Sequence, residues 1–162
     1  MATLPQLYEY YSQQGFNPTT FDILSGDRLR THRRKRDNLY VRKLRIPSRF
    51  WKGARVLEVG CSSGENTLLL AQDGAELDLI GPLSSSVRQL RDLFGHYNCE
   101  ANLRCVHVCP IQQVSFDRSY DAVVAEGFLY TLPERNEILC RLFETLAPGG
   151  LSAHCTGRTR RA

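Results

Sequence analysis

The stretch that decides the fold is residues 56–86, VLEVGCSSGENTLLLAQDGAELDLIGPLSSS. With the residue before it, it opens on a run of strand formers, Arg55–Val59. A glycine turn follows, Gly60-Cys-Ser-Ser-Gly64, and then a leucine-rich helix over Glu65–Asp73 that Gly74 stops. Leu77–Ile80 is a second apolar strand. A strand, tight turn, helix and strand in this order form a unit that often grips a nucleotide-like cofactor. Here, however, Ser62 stands where a middle glycine is expected, and the second strand ends in Gly81 instead of an acid.

The alternation continues downstream. Ser86 and Gln89 have the spacing of a capping box for a helix carrying Val87, Leu90 and Phe94, with Gly95 closing it. Leu103–Val108 reads as a third strand and Tyr120–Ala125 as a fourth. Thr131-Leu-Pro-Glu134 is another capping box, with proline in the first turn of a helix that buries Ile138, Leu142 and Leu146. Ala147-Pro-Gly-Gly150 breaks the chain before a fifth strand over Leu151–Cys155. Upstream, Leu4, Leu7, Tyr8 and Tyr11 share one helix face, Gly15 stops it and Asn17-Pro18 turns the chain. A second helix covers much of the stretch from Asp22 to Leu44, and Ile46-Pro47 ends it. Strands alternating with helices predict an α/β fold: a Rossmann-like, doubly wound, mostly parallel sheet with helices on both faces. The expected division is an N-terminal helical lid and basic segment over residues 1–50 and a core over 51–162.

A chain of 162 residues can bury a sizeable core. It has no apolar run long enough to span a bilayer. MATLPQLYEYY lacks the basic start and apolar middle of a secretion signal, which points to the cytoplasm. Cys61, Cys99, Cys105, Cys109, Cys140 and Cys155 show no Cys-x-x-Cys spacing, and His32, His96 and His107 no metal spacing, so no metal site is expected. Most of the cysteines read as buried thiols acting as small hydrophobes. The positive charge is local: residues 28–45, RLRTHRRKRDNLYVRKLR, hold nine lysines and arginines against one aspartate, leaving 12 basic against 16 acidic residues elsewhere. Leu29, Arg33, Arg36, Tyr40 and Leu44 fall near helical spacing, which suits a solvated helix face. Binding of nucleic acid, an acidic substrate or phosphate is the competing reading. It ranks second because no interleaved aromatic residues mark single-strand binding.

The turn restricts the cofactor. A dinucleotide site calls for G-x-G-x-x-G and an acid about 20 residues on. This turn is G-x-x-x-G with Glu65 directly after it, where a carboxylate repels a pyrophosphate. No Gly-Lys-Ser/Thr follows, so a Walker-type loop is excluded. S-adenosylmethionine carries no phosphate, and its ammonium and sulfonium are cationic. Glu58, two residues before Gly60, suits that cationic end.

From about Lys52 onward the chain resembles the class I S-adenosylmethionine-dependent methyltransferases. VLEVGCSSG is similar to their first motif, YDAVVAEGFLYTLP to their fourth-strand motif, and LFETLAPGGLSAH to the helix, turn and fifth strand that follow. The resemblance implies methyl transfer from S-adenosylmethionine to an unidentified acceptor, with Glu58, Gly60, Cys61, Ser62, Gly64, Gly81, Pro82, Cys109, Ile111 and Glu126 around the cofactor. The family's ribose-binding acid falls on Gly81, and the acid near its adenine falls on Cys109. Backbone N–H groups around Pro82–Leu83 and at Ile111, or Glu76 or Asp78 as a replacement charge, are the expected substitutes. The family's usual C-terminal hairpin is lacking, so the fifth strand is expected at an exposed edge. Candidate bases near the mouth are Glu126, Tyr130, His154, Tyr8, Tyr10 and Tyr11, and no catalytic base is assigned. The alternative reading is a non-catalytic remnant of the fold, or a binding module that uses the basic helix.

Overall fold

The computed structural model of the protein describes residues 9–10, 13, 23–81, 83–116, 119–127, 129 and 132–154. The expected first helix through Leu4, Leu7, Tyr8 and Tyr11, with Gly15 and Asn17-Pro18, lies outside them, as do Pro82, Tyr130, Thr131 and Cys155. Strands β1 (Arg55–Val59), β2 (Glu76–Ile80), β3 (Leu103–His107), β4 (Tyr120–Ala125) and β5 (Leu146–His154) form one sheet in the order β3-β2-β1-β4-β5. Every pairing is parallel. The chain builds outward from β1 to β3, then returns to place β4 on β1's other side. The switch point therefore lies between β1 and β4, where α/β folds hold their ligands.

Among the described residues, four α-helices cover the sheet: α1 (Gly26–Asp37), α2 (Glu65–Gln72), α3 (Ser84–His96) and α4 (Arg135–Glu144). Strand side chains alternate between faces, so Val56 and Leu57 enter different cores. One core joins Val56, Leu77 and Val124 to Leu68 and Leu70 of α2, Leu90 and Phe94 of α3, and Tyr40, Ile46 and Trp51 from the N-terminal side. The other joins Leu57, Ile80 and Val123 to Ile138 and Leu142 of α4. This is the expected doubly wound α/β arrangement.

The boundaries differ in instructive places. The helix expected to reach Leu44 is α-helical only to Asp37 and continues as a wider π turn, Asn38–Lys43. That turn takes Leu44 off the packed stripe and leaves it exposed. Helix α3 starts at Ser84, so Ser86 lies inside it, buried, instead of capping it. Helix α4 starts after the Pro133-Glu134 turn, with no side-chain cap, and Leu146 belongs to β5. The Ala147–Gly150 break is present as a bulge: Tyr120 pairs Leu146, and pairing resumes with Ala122 opposite Leu151. Gly150 is confined there, because a Cβ would lie 2.9 Å from the Ala147 carbonyl oxygen.

Candidate cofactor site at the strand ends

Glu58 is the penultimate residue of β1, beside Leu79 of β2 and Val124 of β4. It is 4 % exposed, and its Oε2 has no hydrogen-bond partner. Burial pushes its carboxyl up to about 7. The neighbouring Thr67 hydroxyl and Arg36 guanidinium act against that rise, and the Glu126 carboxylate adds to it. A buried, half-satisfied acid is costly to keep, and it sits directly before the glycine turn.

The turn is built on three left-handed residues: Gly60 at φ 81°, Ser62 at φ 49° and Gly64 at φ 87°. Ser62 thus adopts the conformation for which a glycine is normally selected, at a cost of about 1 kcal/mol. Gly64 has a second constraint, since a Cβ there would lie 2.7 Å from Leu90 Cγ on α3. Helix α2 starts on Gly64 and carries Glu65 in its first turn, where the helix dipole favours a carboxylate. The Ser63 hydroxyl donates to Glu65 Oε2 at 2.6 Å, and both residues are buried.

The two missing acids have a structural setting. At Gly81 a Cβ would stand 3.0 Å from the Cys61 sulfur, so a larger side chain requires that cysteine to move. Cys61 is buried beneath the turn, and burial, reinforced by Glu58, pushes its thiol up. Cys109 is half-buried against the α4-side core, and the Ile111 side chain is buried within that core. Neither proposed replacement charge reaches the site. Glu76 is the first residue of β2 and faces Arg104, while Asp78 accepts a 2.9 Å hydrogen bond from the hydroxyl of Tyr120, the first residue of β4. Glu76 lies at the amino-terminal edge of the sheet, and Asp78, in the middle of β2, is turned toward Tyr120 at the start of β4.

The largest departure from expectation is in the basic segment. Arg36 packs inward with its side chain 12 % exposed, against Glu126 at 21 %. Arg36 Nη1 donates to Glu126 Oε2 at 2.8 Å, and Nη2 pairs with Oε1. The Tyr40 hydroxyl donates to Glu126 Oε1 at 2.7 Å and accepts from Arg36 Nη2 at 2.6 Å. Tyr40 is buried edge-on against Trp51, and burial raises its phenol. Arg33 is anchored too, donating to Asp73 at 2.7 Å at the end of α2. His32, one residue before Arg33, is buried, and burial lowers its range. The packed stripe is thus Leu29, His32, Arg33, Arg36 and Tyr40, and it is polar. Arg28, Arg34, Lys35, Arg42 and Lys43 are exposed, so the solvated face is not the Leu29–Arg33–Arg36–Tyr40 one that the sequence suggests.

Among the candidate bases, Glu126 is engaged by Arg36 and Tyr40, which removes it as a free proton acceptor. His154 ends β5, with Nδ1 3.2 Å from the Ser152 hydroxyl and its ring edge-on to Phe143. Tyr10 is exposed. Glu58, Gly60, Cys61, Ser62 and Gly64 come together at the end of β1, with Gly81 against Cys61. Arg36 and Tyr40 of this cluster were not among the residues expected at the site.

A parallel sheet with a glycine turn and a buried acid at its switch point defines a nucleoside-cofactor fold, and sequence comparison makes the class specific. The family described as a methyltransferase domain matches residues 56–150, and the chain belongs to it. It is 35 % identical over 108 residues to a trans-aconitate 2-methyltransferase of Deinococcus radiodurans, covering 67 % of this chain and 39 % of that protein. The chain therefore spans about two-fifths of that relative's length. Magnesium protoporphyrin IX methyltransferase from Synechocystis PCC 6803, solved with bound SAM, shares the fold at a TM-score of 0.66 and 18 % identity, covering 90 % of this chain and 74 % of that one. The [4+2]-cyclase SpnF matches at a TM-score of 0.54 and 26 % identity, covering 62 % of this chain and 38 % of that one.

Proposed function

We propose that the chain is an S-adenosylmethionine-dependent methyltransferase acting on an unidentified acceptor. The observation that carries this reading is Glu58: a buried carboxylate with an unpartnered oxygen, placed under a left-handed glycine turn at the switch point. Such a group suits a ligand that brings its own cation. Glu58 would take the ammonium. Gly60, Cys61, Ser62 and Gly64 would let the backbone approach the nucleoside, and Gly81, Pro82, Cys109, Ile111 and Glu126 would line the remainder. A bound S-adenosylmethionine supplies an activated methyl group on a sulfonium. The chain's own share is to orient that end and keep water from it. The presence of a cyclase among its fold relatives means that fold by itself does not decide the reaction.

Calorimetric titration with S-adenosylhomocysteine tests the reading, with Gly60→Val as control. Saturable binding that the variant loses supports it, and no binding by a folded wild type overturns it. One observation favours a second reading, a non-catalytic module: neither Gly81 nor Cys109 supplies an acid. That module would bind nucleic acid, RNA or DNA, through the exposed basic face of α1, with affinity falling steeply as salt rises and indifferent to the nucleoside.

A further inference from the structure

We propose that the turn ending the N-terminal helical segment, residues 42–49, is a docking surface for an anionic lipid bilayer, with Leu44 entering the acyl boundary and the cations around it meeting the headgroups. The inference is independent of the nucleoside site and lies outside the segment matched to the family, which begins at residue 56.

Between Asp37 and Glu58 the chain has no acidic residue, and Arg42, Lys43, Arg45, Arg49 and Lys52 are all exposed there. Among the described residues none of these five is in an ion pair. By contrast, Arg33, Arg36 and Arg55 each have a carboxylate partner, in Asp73, Glu126 and Asp121. The cations left open are thus gathered in and just after one turn. They set up a positive field that no acid of the same segment offsets.

The backbone of the turn holds an apolar residue outward among them. Leu44 N–H donates to the Leu39 carbonyl oxygen and Ile46 N–H to that of Tyr40, each at 2.9 Å. Between them Arg45 is left-handed at φ 60°, so the chain reverses, Ile46 is buried and Leu44 stays 45 % exposed. A helix end that needs a left-handed residue normally takes glycine. Here it holds a cation under backbone strain. A lone exposed leucine is ordinary. One set between Lys43 and Arg45, with Arg42 and Arg49 close in the chain, has the composition of an interfacial anchor.

Charge alone would also admit a nucleic acid. Residues 42–49 carry no aromatic ring on which a base could stack, and Leu44 gains nothing against a phosphate backbone. An anionic bilayer uses both the cations and the leucine. Tyr40 ties the turn to the strand ends, since its carbonyl holds Ile46 and its hydroxyl meets Glu126. A docked chain therefore keeps its strand-end site close to the lipid surface.

The test is flotation of the full chain with vesicles of phosphatidylcholine alone and of phosphatidylcholine mixed with phosphatidylglycerol in equal parts. Wild type is expected to float with the anionic vesicles, to ignore the neutral ones and to be released as salt rises. Arg42→Gln/Lys43→Gln/Arg45→Gln should weaken the partition about 100-fold, from roughly 5-fold per cation. Leu44→Ser should weaken it about 5- to 10-fold while leaving affinity for a double-stranded oligonucleotide unchanged. Arg45→Gly separates docking from folding: relief of the left-handed strain raises the urea midpoint, and loss of the cation weakens flotation. Failure of wild type to float with anionic vesicles at near-physiological salt overturns the proposal. So does a Leu44→Ser variant that floats as well as wild type, and tight oligonucleotide binding alongside that result assigns the turn to nucleic acid instead.

Discussion

Replacing Glu58 by glutamine should change how stability depends on pH, and the direction follows from where its proton resides. In the folded chain the carboxyl sits at about 7 against an ordinary 4.5, so between those values the folded state holds a proton that the unfolded state has released. Raising the pH strips that proton. The contribution is therefore fully present below about 4.5, is lost progressively up to about 7, and stays lost above. The whole effect amounts to roughly 3 kcal/mol, most of it between pH 5 and pH 8. Arg36 and Tyr40 from the N-terminal helix, Glu126 after β4 and Cys61 in the turn are the other charged or titratable groups facing it. They are common to both proteins, as is His32, whose lowered range acts with the opposite sign at acid pH. Urea unfolding of wild type and Glu58→Gln at pH 5 and pH 8 isolates the difference. The variant should gain on wild type by about 2–3 kcal/mol on going to pH 8. Equal pH slopes for the two proteins would refute the placement of an unsatisfied acid in the core.

Gly64→Ala should destabilise by about 2–4 kcal/mol in urea melts, since it combines a left-handed φ of 87° with a 2.7 Å approach to Leu90. Arg36→Met should cost about 2–4 kcal/mol by leaving the Glu126 charge half-buried and unpaired, whereas Arg33→Met should cost under about 1 kcal/mol, because the Arg33–Asp73 pair is more open to solvent. Tyr120→Phe removes a hydroxyl from buried Asp78 and should cost about 1–3 kcal/mol without altering nucleoside affinity, as Tyr120 lies at the amino end of β4, opposite the glycine turn. Iodoacetamide should label Cys105, exposed on β3 with its sulfur 3.3 Å from His107 Nε2, well before buried Cys61; mass spectrometry of the time course checks the order.

What the sequence made legible tracks how locally each feature is encoded. β1 and β4 are read to the residue because each is an apolar run bounded by turn signals and buried on both faces. Glu58 stands out as an acid inside such a run, next to a glycine turn. The start of α3 was not legible, since Ser84, Ser85 and Ser86 are chemically equal candidates and only burial of Ser86 separates them. Arg36 was hidden for a different reason. It is one of nine basic residues in a row of eighteen, and its partner Glu126 lies 90 positions downstream. The nearest local hint was Tyr40, four residues on, which shares that partner. The loss of the second- and third-strand acids was visible at once. The reason Gly81 is small, the Cys61 sulfur beside it, required the packed structure.

The Arg36–Glu126 bridge also bears on assembly order. It closes a loop of 90 residues, so it forms only after β4 has paired with β1, and the entropy of that closure delays it relative to the local β1–α2–β2 contacts. On a ribosome the glycine turn after β1 is complete long before Arg36 and Glu126 can be locked together. Nascent or chaperone-held chains would then carry an open, negatively charged mouth, and α1 would dock last, as a seal. Proteolysis of refolding intermediates should accordingly cut α1 after the central sheet has become resistant.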